Sequence, residues 1–521
     1  MRPSRTLTTL ALLLMGVLAC RGGEGTPDRR TLIDSRDSYD PRSLDPAFST
    51  DVPTGRAVAY VFDGLARLTP DARVIPALAE RWDVSPDGRV HTFHLRTGVR
   101  FHDGSPFVAR HVVRSFERVL DPQARGGRGW PLYPIEGARE YAAGQAQRIA
   151  GLSAPDDSTV VIRLTEPLAV FTKLLAMPVA SIVPDSIPAN FGEQPVGTGP
   201  WRLVRWQRDD YLLFARNEEY FGGPPAAESL LARIIPEPST AVAEFEAGRV
   251  DILYVPEAET RQWEEADGQR ARLHSAPGLR MWYVAINVDR GPLRDVRVRR
   301  ALNHALDVQT ILDQLIGGRG ALAAGVIPPS LDGSDTSRAP YRYDPDEARR
   351  LLAEAGYPNG LDLELWSSTT PPFPRLAETI QAYLSQAGIR ARLVQREAAA
   401  VREASRNGQT DLFVKDWFAD YPDAENFLYP LLHGANHGVG GNVSFYANPE
   451  YDRLVARARR ELDESTRRDL YREADALAFA EAPMIFLFFY RELFATQPWI
   501  SGFEVPVIFN GQDLSRVQIA R

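Results

Sequence analysis

Apolar positions recur along the chain with two periods, and the two alternate. In YDPDEARRLLAEAGYPNG, Ala348, Leu351, Leu352 and Ala355 fall three or four residues apart, on one face of a helix. Asp344 is placed to cap it, Pro345 suits its first turn and Glu347 completes a capping box. Gly356 is placed to end it. LDLELW, residues 361 to 366, alternates strictly and predicts a half-buried strand. RVHTFHLRTGVRF alternates as well and predicts a strand followed by a turn at Gly98. A longer helix is expected from about Leu454 to Phe479, with a stripe of Leu454, Ala458, Leu462, Leu470, Ala474 and Leu477. DLFVKDW, residues 411 to 417, predicts a strand with Phe413, Lys415 and Trp417 on one side and Leu412, Val414 and Asp416 on the other. Helical and strand patterns interleave throughout, which points to an α/β protein.

Length changes the picture first. The chain has 521 residues, too many for one simple core, and two or three domains are expected. A composition of 44% hydrophobic and 25% charged residues is that of a folded body. The formal charge of −8 argues against a nucleic-acid partner. At the start, Arg2 and Arg5 precede an apolar run from Leu7 to Leu18, too short to span a bilayer, which reads as a signal peptide. It ends in Val17-Leu18-Ala19-Cys20, similar to a bacterial lipobox, in which the cysteine becomes lipid-modified. Cys20 is the only cysteine, so no disulfide can form within the chain. RGGEGTPDRR follows as a polar tether, and no later run of 18 apolar residues appears, so anchoring to a membrane is expected and crossing it is not.

Several stretches carry a family resemblance. They are Ser43-Leu44-Asp45-Pro46; the block VFDGLARLTPDARVIPALAERWDVSPDGRVHTFHLRTGVRFHDGSPF from Val61; PVGTGPWRL from Pro195 and RNEEYFGG from Arg216; VRVRRALNHALD from Val296; and DWFADYPDAENF from Asp416. Together they resemble the extracellular solute-binding proteins of peptide ABC transporters, the dipeptide and oligopeptide family, over essentially the whole mature chain. One departure is His111, which stands where the family usually has an aspartate opening a helix. The resemblance implies a two-lobe, hinged, periplasmic-binding-protein-like fold with an extra domain inserted in the first lobe. Carried over, lobe I is expected from 29–60, 196–281 and 486–521, the inserted domain from 61–195 and lobe II from 282–485, after a signal peptide at 1–19 and a tether at 20–28. It also implies a monomer on the extracytoplasmic face of a bacterial envelope. That monomer would be held by its lipid and partnered by permease and ATPase subunits, with no cofactor.

DWFADYPDAENF sets four acids among four aromatics. In peptide-binding relatives the aspartate of a W-x-A-D-Y pattern holds the peptide α-ammonium. The match here falls on Asp420, with Trp417 beside the first side chain and Tyr421 next in the pattern. A cation is then needed for the peptide carboxylate, and Lys415 and Arg406 are the candidates from this region. The peptide backbone would be held as an added strand, which leaves no sequence signature.

An enzyme is the rival class, but no G-x-S-x-G, H-E-x-x-H or P-loop pattern occurs. Metal binding is the other. His91, His94, His102 and His111 cluster in sequence, but His91 and His94 are expected on opposite faces of one strand, and His433 and His437 sit in a glycine-rich loop. DWFADYPDAENF does not fit a calcium loop, because Phe418 and Pro422 fall where oxygen ligands are needed and no glycine stands at the sixth position. Within the family, nickel chelates, sugars, opines and haem remain alternative cargoes, as does a sensing role in place of transport.

Overall fold

The computed structural model describes residues 30–49, 51–123, 128–266, 268 and 272–520. The signal, Cys20 and the tether lie outside the described residues. One large mixed sheet runs through the molecule. Its strands lie in the order Ile389–Arg396, Leu361–Ser368, Leu412–Phe418, Leu273–Ile286, Met484–Thr496, Ile252–Tyr254, Thr31–Asp37, Ser229–Ile234, Tyr211–Arg216 and Trp201–Gln207. The middle two are the longest, 14 and 13 residues, and at 3.2–3.4 Å per residue each spans roughly 45 Å. They therefore belong to both halves of the sheet. Residues Arg280–Ile286 pair with Leu412–Phe418 on one side, while Phe494–Thr496 pair with Tyr254–Ile252 on the other. Their mutual register slips between Pro277 and Met281, so the ladder is weakest midway between the two halves.

Each half buries apolar residues on both sheet faces. In one half, Leu361–Ser368 pairs in parallel with both Ile389–Arg396 and Leu412–Phe418. Parallel neighbours need a crossover, and the Phe373–Gln386 helix supplies one, burying Leu376, Ala377, Ile380 and Leu384 on the sheet. In the other half, Leu32, Trp201, Phe214 and Leu230 share a core with Val58 and Val61 of the Val52–Val61 helix. A separate four-stranded antiparallel sheet, Ala79–Val84, Val90–Leu95, Thr159–Arg163 and Leu152–Asp156, carries its own core of Phe93, Phe116, Leu132, Ile162 and Phe171. The result is an α/β molecule with two lobes and an additional small sheet.

Most local patterns form as read, and the differences have physical reasons. The Pro345–Glu354 helix is capped by Asp344, which accepts from the Glu347 N–H at 3.0 Å, and Gly356 follows with φ +96°. The capping box is half made. The Asp344 N–H donates to the His304 carbonyl, and the Glu347 carboxylate pairs with Arg350 instead. The helix expected over 454–479 is two helices, Pro449–Arg460 and Glu464–Glu481. Asp463 starts the second by accepting from the Thr466 N–H at 2.8 Å, and Leu462 leaves the stripe to lie over Gly88. Gly98 turns the chain after Val90–Leu95 with φ +78°. His111 is buried in the first turn of the Arg110–Val119 helix, its Nδ1 3.1 Å from the Val108 N–H and its Nε2 3.5 Å from Asp185.

Candidate functional site

Strand Leu412–Phe418 delivers DWFADYPDAENF to the centre of the molecule. Its side-chain parity is the expected one: Phe413 and Trp417 join one core cluster, Leu412 and Val414 the cluster on the opposite face. The four acids of the segment have different fates. Asp416 Oδ2 accepts from Arg280 Nε at 2.8 Å. Glu425, 1% exposed, pairs with Arg459 Nε at 2.6 Å and accepts from the Tyr421 hydroxyl. Asp423 Oδ2 accepts from Lys173 Nζ at 2.6 Å, and the same ammonium reaches the Pro422 carbonyl at 2.9 Å. Three acids are thus each matched by a cation at 2.6–2.8 Å.

Asp420 is different. Its only side-chain partner among the described residues is Arg128 Nη1, 3.5 Å from Oδ1, and Oδ2 accepts no hydrogen bond. Burial pushes its pKa up, and the Arg128 charge opposes that only partly. Its position is nonetheless well fixed. Asn426 Oδ1 accepts from the Asp420 N–H at 2.9 Å and from Trp417 Nε1 at 3.3 Å, so one buried amide holds both members of the motif.

A cavity of about 210 Å³ opens against Asp420, Trp417 and Phe418. Its opposite wall is the start of the Val52–Val61 helix, with Ser49, Asp51 and Val52. Met177, Pro178, Val179 and Arg128 close it on the side of the small sheet, and Phe509 comes from the C-terminal segment. Phe509 packs edge-on to Phe418 with centroids 6.1 Å apart, and its ring seats over Gly55, where a Cβ would come within 2.5 Å. The cavity therefore lies where distant parts of the chain meet, a usual place for a ligand site.

Lys415 lies five residues before Asp420, beside Tyr283 and Phe413, its Nζ 5.5 and 5.7 Å from their ring centroids. Burial pushes its pKa down to about 8. Asp416 opposes that shift, while Arg406 and Arg402 add to it. Among the described residues no carboxylate lies within ion-pair distance of Lys415, Arg406 or Arg402. The structure thus groups Lys415 with Arg406, and Asp420 with Trp417, but Lys415 and Arg406 are not on the wall of the Asp420 cavity. Tyr421 is 3% exposed and packs in the core of the small-sheet region, 6.1 Å from Trp130. That is a place among protein side chains and not on the cavity wall. Arg128, Asp51 and Phe509 carried no sequence signal, because each reaches the site from a distant segment, and Asn426 stood within the motif with nothing to mark its amide as the group that holds Asp420 and Trp417.

The histidines are individually engaged. His94 Nε2 meets Asp83 at 2.8 Å, His102 Nε2 meets the Gly199 carbonyl at 2.9 Å and His437 Nε2 meets the Tyr446 carbonyl at 3.0 Å. His91 is buried between Phe93 and Phe171. Among the described residues no three His, Cys, Asp or Glu side chains gather as a metal site.

Residues 73–438 match the family model of bacterial extracellular solute-binding proteins, family 5 Middle. The chain is 32% identical over 436 residues to heme-binding protein A of Haemophilus influenzae, covering 79% of this chain and 78% of that one. To the dipeptide-binding protein of Escherichia coli it is 31% identical over 437 residues, 80% of each. Among solved structures, the periplasmic binding protein DppA from Helicobacter pylori, in complex with peptide STSA, superposes with a TM-score of 0.79. That match has 27% identity and covers 94% of this chain and 98% of that one.

Proposed function

The chain belongs to the bacterial extracellular solute-binding proteins of family 5, and from that premise we propose that it captures short peptides between its lobes and delivers them to a membrane permease. The observation that carries the reading is Asp420. It is a positioned, half-buried carboxylate whose Oδ2 accepts no hydrogen bond from the described residues, facing a cavity, in a segment whose other three acids are matched by protein cations. A peptide α-ammonium supplies the missing donor. Lys415, with Arg406 and Arg402 beside it, offers positive charge further along the same strand for the peptide carboxylate. Trp417 lies against the first residue of the ligand. The protein does no chemistry on its cargo; ATP hydrolysis belongs to partner subunits.

The lobes of this reading are 29–60, 196–281 and 486–521 against 282–485, with 61–195 inserted, and the long strands Leu273–Ile286 and Met484–Thr496 act as the hinge. Cys20 carries the lipid that holds the protein at the envelope surface. Among the described residues no helix is long and apolar enough to cross a membrane. Support for a peptide cargo comes from the dipeptide-binding relative and the peptide-bound structural neighbour. The test is calorimetric titration of the purified protein with a dipeptide and with its N-acetylated form. The free amine binds and the acetylated form binds at least tenfold worse. Equal affinities would remove Asp420 from the ligand.

A further inference from the structure

The four-stranded sheet shares no strand with the large one, yet its region, within residues 61–195, reaches the DWFADYPDAENF loop and the helices after it at three places. Leu462 lies over Gly88, and Arg460 pairs with Glu166 at 2.6 Å. The Ala169 N–H donates to the Arg459 carbonyl at 3.0 Å. Lys173 Nζ donates to Asp423 Oδ2 at 2.6 Å and to the Pro422 carbonyl at 2.9 Å. The Arg460 and Glu166 side chains are half-exposed, so solvent screens that pair. Asp423 is 5% exposed and Lys173 26%, so the third place carries most of the electrostatic weight.

Lys173, Pro422 and Asp423 do not line the Asp420 cavity, so a ligand in that cavity does not touch them. Hydrogen bonds connect them to it. Asp423 Oδ1 accepts from the Glu425 N–H at 3.0 Å and holds the start of the Glu425–Leu432 helix. Asn426, in the first turn of that helix, fixes Asp420 and Trp417. We propose that Lys173 is a positioning residue for ligand capture: its ammonium latches the inserted region onto the loop that carries Asp420, and so sets how long a bound ligand stays. The inference rests on the lobe closure proposed above, with 61–195 moving together with lobe I. When the lobes part, Lys173 and Asp423 each return to water at little cost. When they meet without the ammonium, Asp423 is covered with no cation against it, so the penalty falls on the closed arrangement. Loss of the latch therefore speeds ligand release and leaves encounter with the open protein unchanged.

Stopped-flow binding of Leu-Ala to the full-length protein, with kon and koff read separately, tests this. Lys173→Met raises koff about fivefold or more and leaves kon within about twofold. Lys173→Arg, which keeps the cation, recovers most of the loss. Asp423→Asn keeps an acceptor for the Glu425 N–H and raises koff as Lys173→Met does, and the two changes together raise it no further than either one. An unchanged koff in Lys173→Met, a koff raised equally by Lys173→Arg, or effects that multiply in the double variant overturn the inference. Small-angle scattering separates this from the reading beneath it: a radius of gyration that does not fall when Leu-Ala saturates the parent protein overturns the lobe closure instead.

Discussion

Asp420→Asn removes one charge from a carboxylate whose pKa burial already pushes up. Among the described residues that charge has a single partner at 3.5 Å and Oδ2 accepts no hydrogen bond, so neutralising it relieves a desolvation cost. A folded pKa raised above the unfolded value means that stability is greatest below the unfolded pKa and is lost as pH rises through the folded one. At pH 7 the variant is therefore expected to melt at the same temperature as the parent or higher. Asparagine keeps the backbone N–H that donates to Asn426, so the loop stays in place. Binding behaves oppositely. The ammonium–carboxylate hydrogen bond contributes ~1.5–3 kcal/mol net, or roughly tenfold to a hundredfold in Kd. Isothermal titration with Leu-Ala reads the affinity and calorimetric melting reads the fold. An unchanged Kd would refute the reasoning, and so would a Kd raised only in proportion to a lost melting temperature.

Glu425→Gln, five residues further on, should do the reverse: it leaves Arg459, half-buried over the Tyr429 ring, without its counter-charge and costs about 1.5–3 kcal/mol of stability, read by urea denaturation. Lys415→Met should cost affinity for dipeptides with a free carboxylate much more than for their C-terminal amides, closing the gap between the two in titration. His91 is buried, and burial pushes its pKa down to about 4. A depressed folded pKa gives stability that is present above about pH 6.5 and lost as pH falls towards 4, about 3 kcal/mol at about 1.4 kcal/mol per unit. His91→Leu should therefore flatten the fall in melting temperature between pH 7 and pH 4, whereas an undiminished fall would locate the acid sensitivity elsewhere.

Elements defined by local periodicity were legible without coordinates. The Pro345–Glu354 helix has its cap, stripe and terminating glycine within a dozen residues, and Leu361–Ser368 declares its pleat by alternation. The break between Pro449–Arg460 and Glu464–Glu481 was hidden because Leu462 keeps the helical spacing while its side chain serves another contact, over Gly88. At the site, the acids of DWFADYPDAENF were visible but not what each one does, since their partners Arg280, Lys173, Arg459 and Arg128 lie 34 to nearly 300 positions away. Position in the motif pointed to Asp420. The fold adds a reason, which is that its neighbours in sequence are already paired. Lys415 was singled out by strand parity alone, and its place beside Tyr283 with no carboxylate within ion-pair distance among the described residues is a three-dimensional fact that composition cannot express. Tyr421, read from the same motif, packs against Trp130 because the loop tip folds into the neighbouring core.

The most direct test is a crystal structure of the protein with Leu-Ala bound. The account predicts the dipeptide in the cavity between Asp51, Phe509 and Trp417, its ammonium on Asp420 Oδ2 at about 2.8 Å, a usual charge-assisted distance, with Arg128 still on Oδ1. A dipeptide seated elsewhere, or one seated there with its ammonium turned away from Asp420, would contradict it.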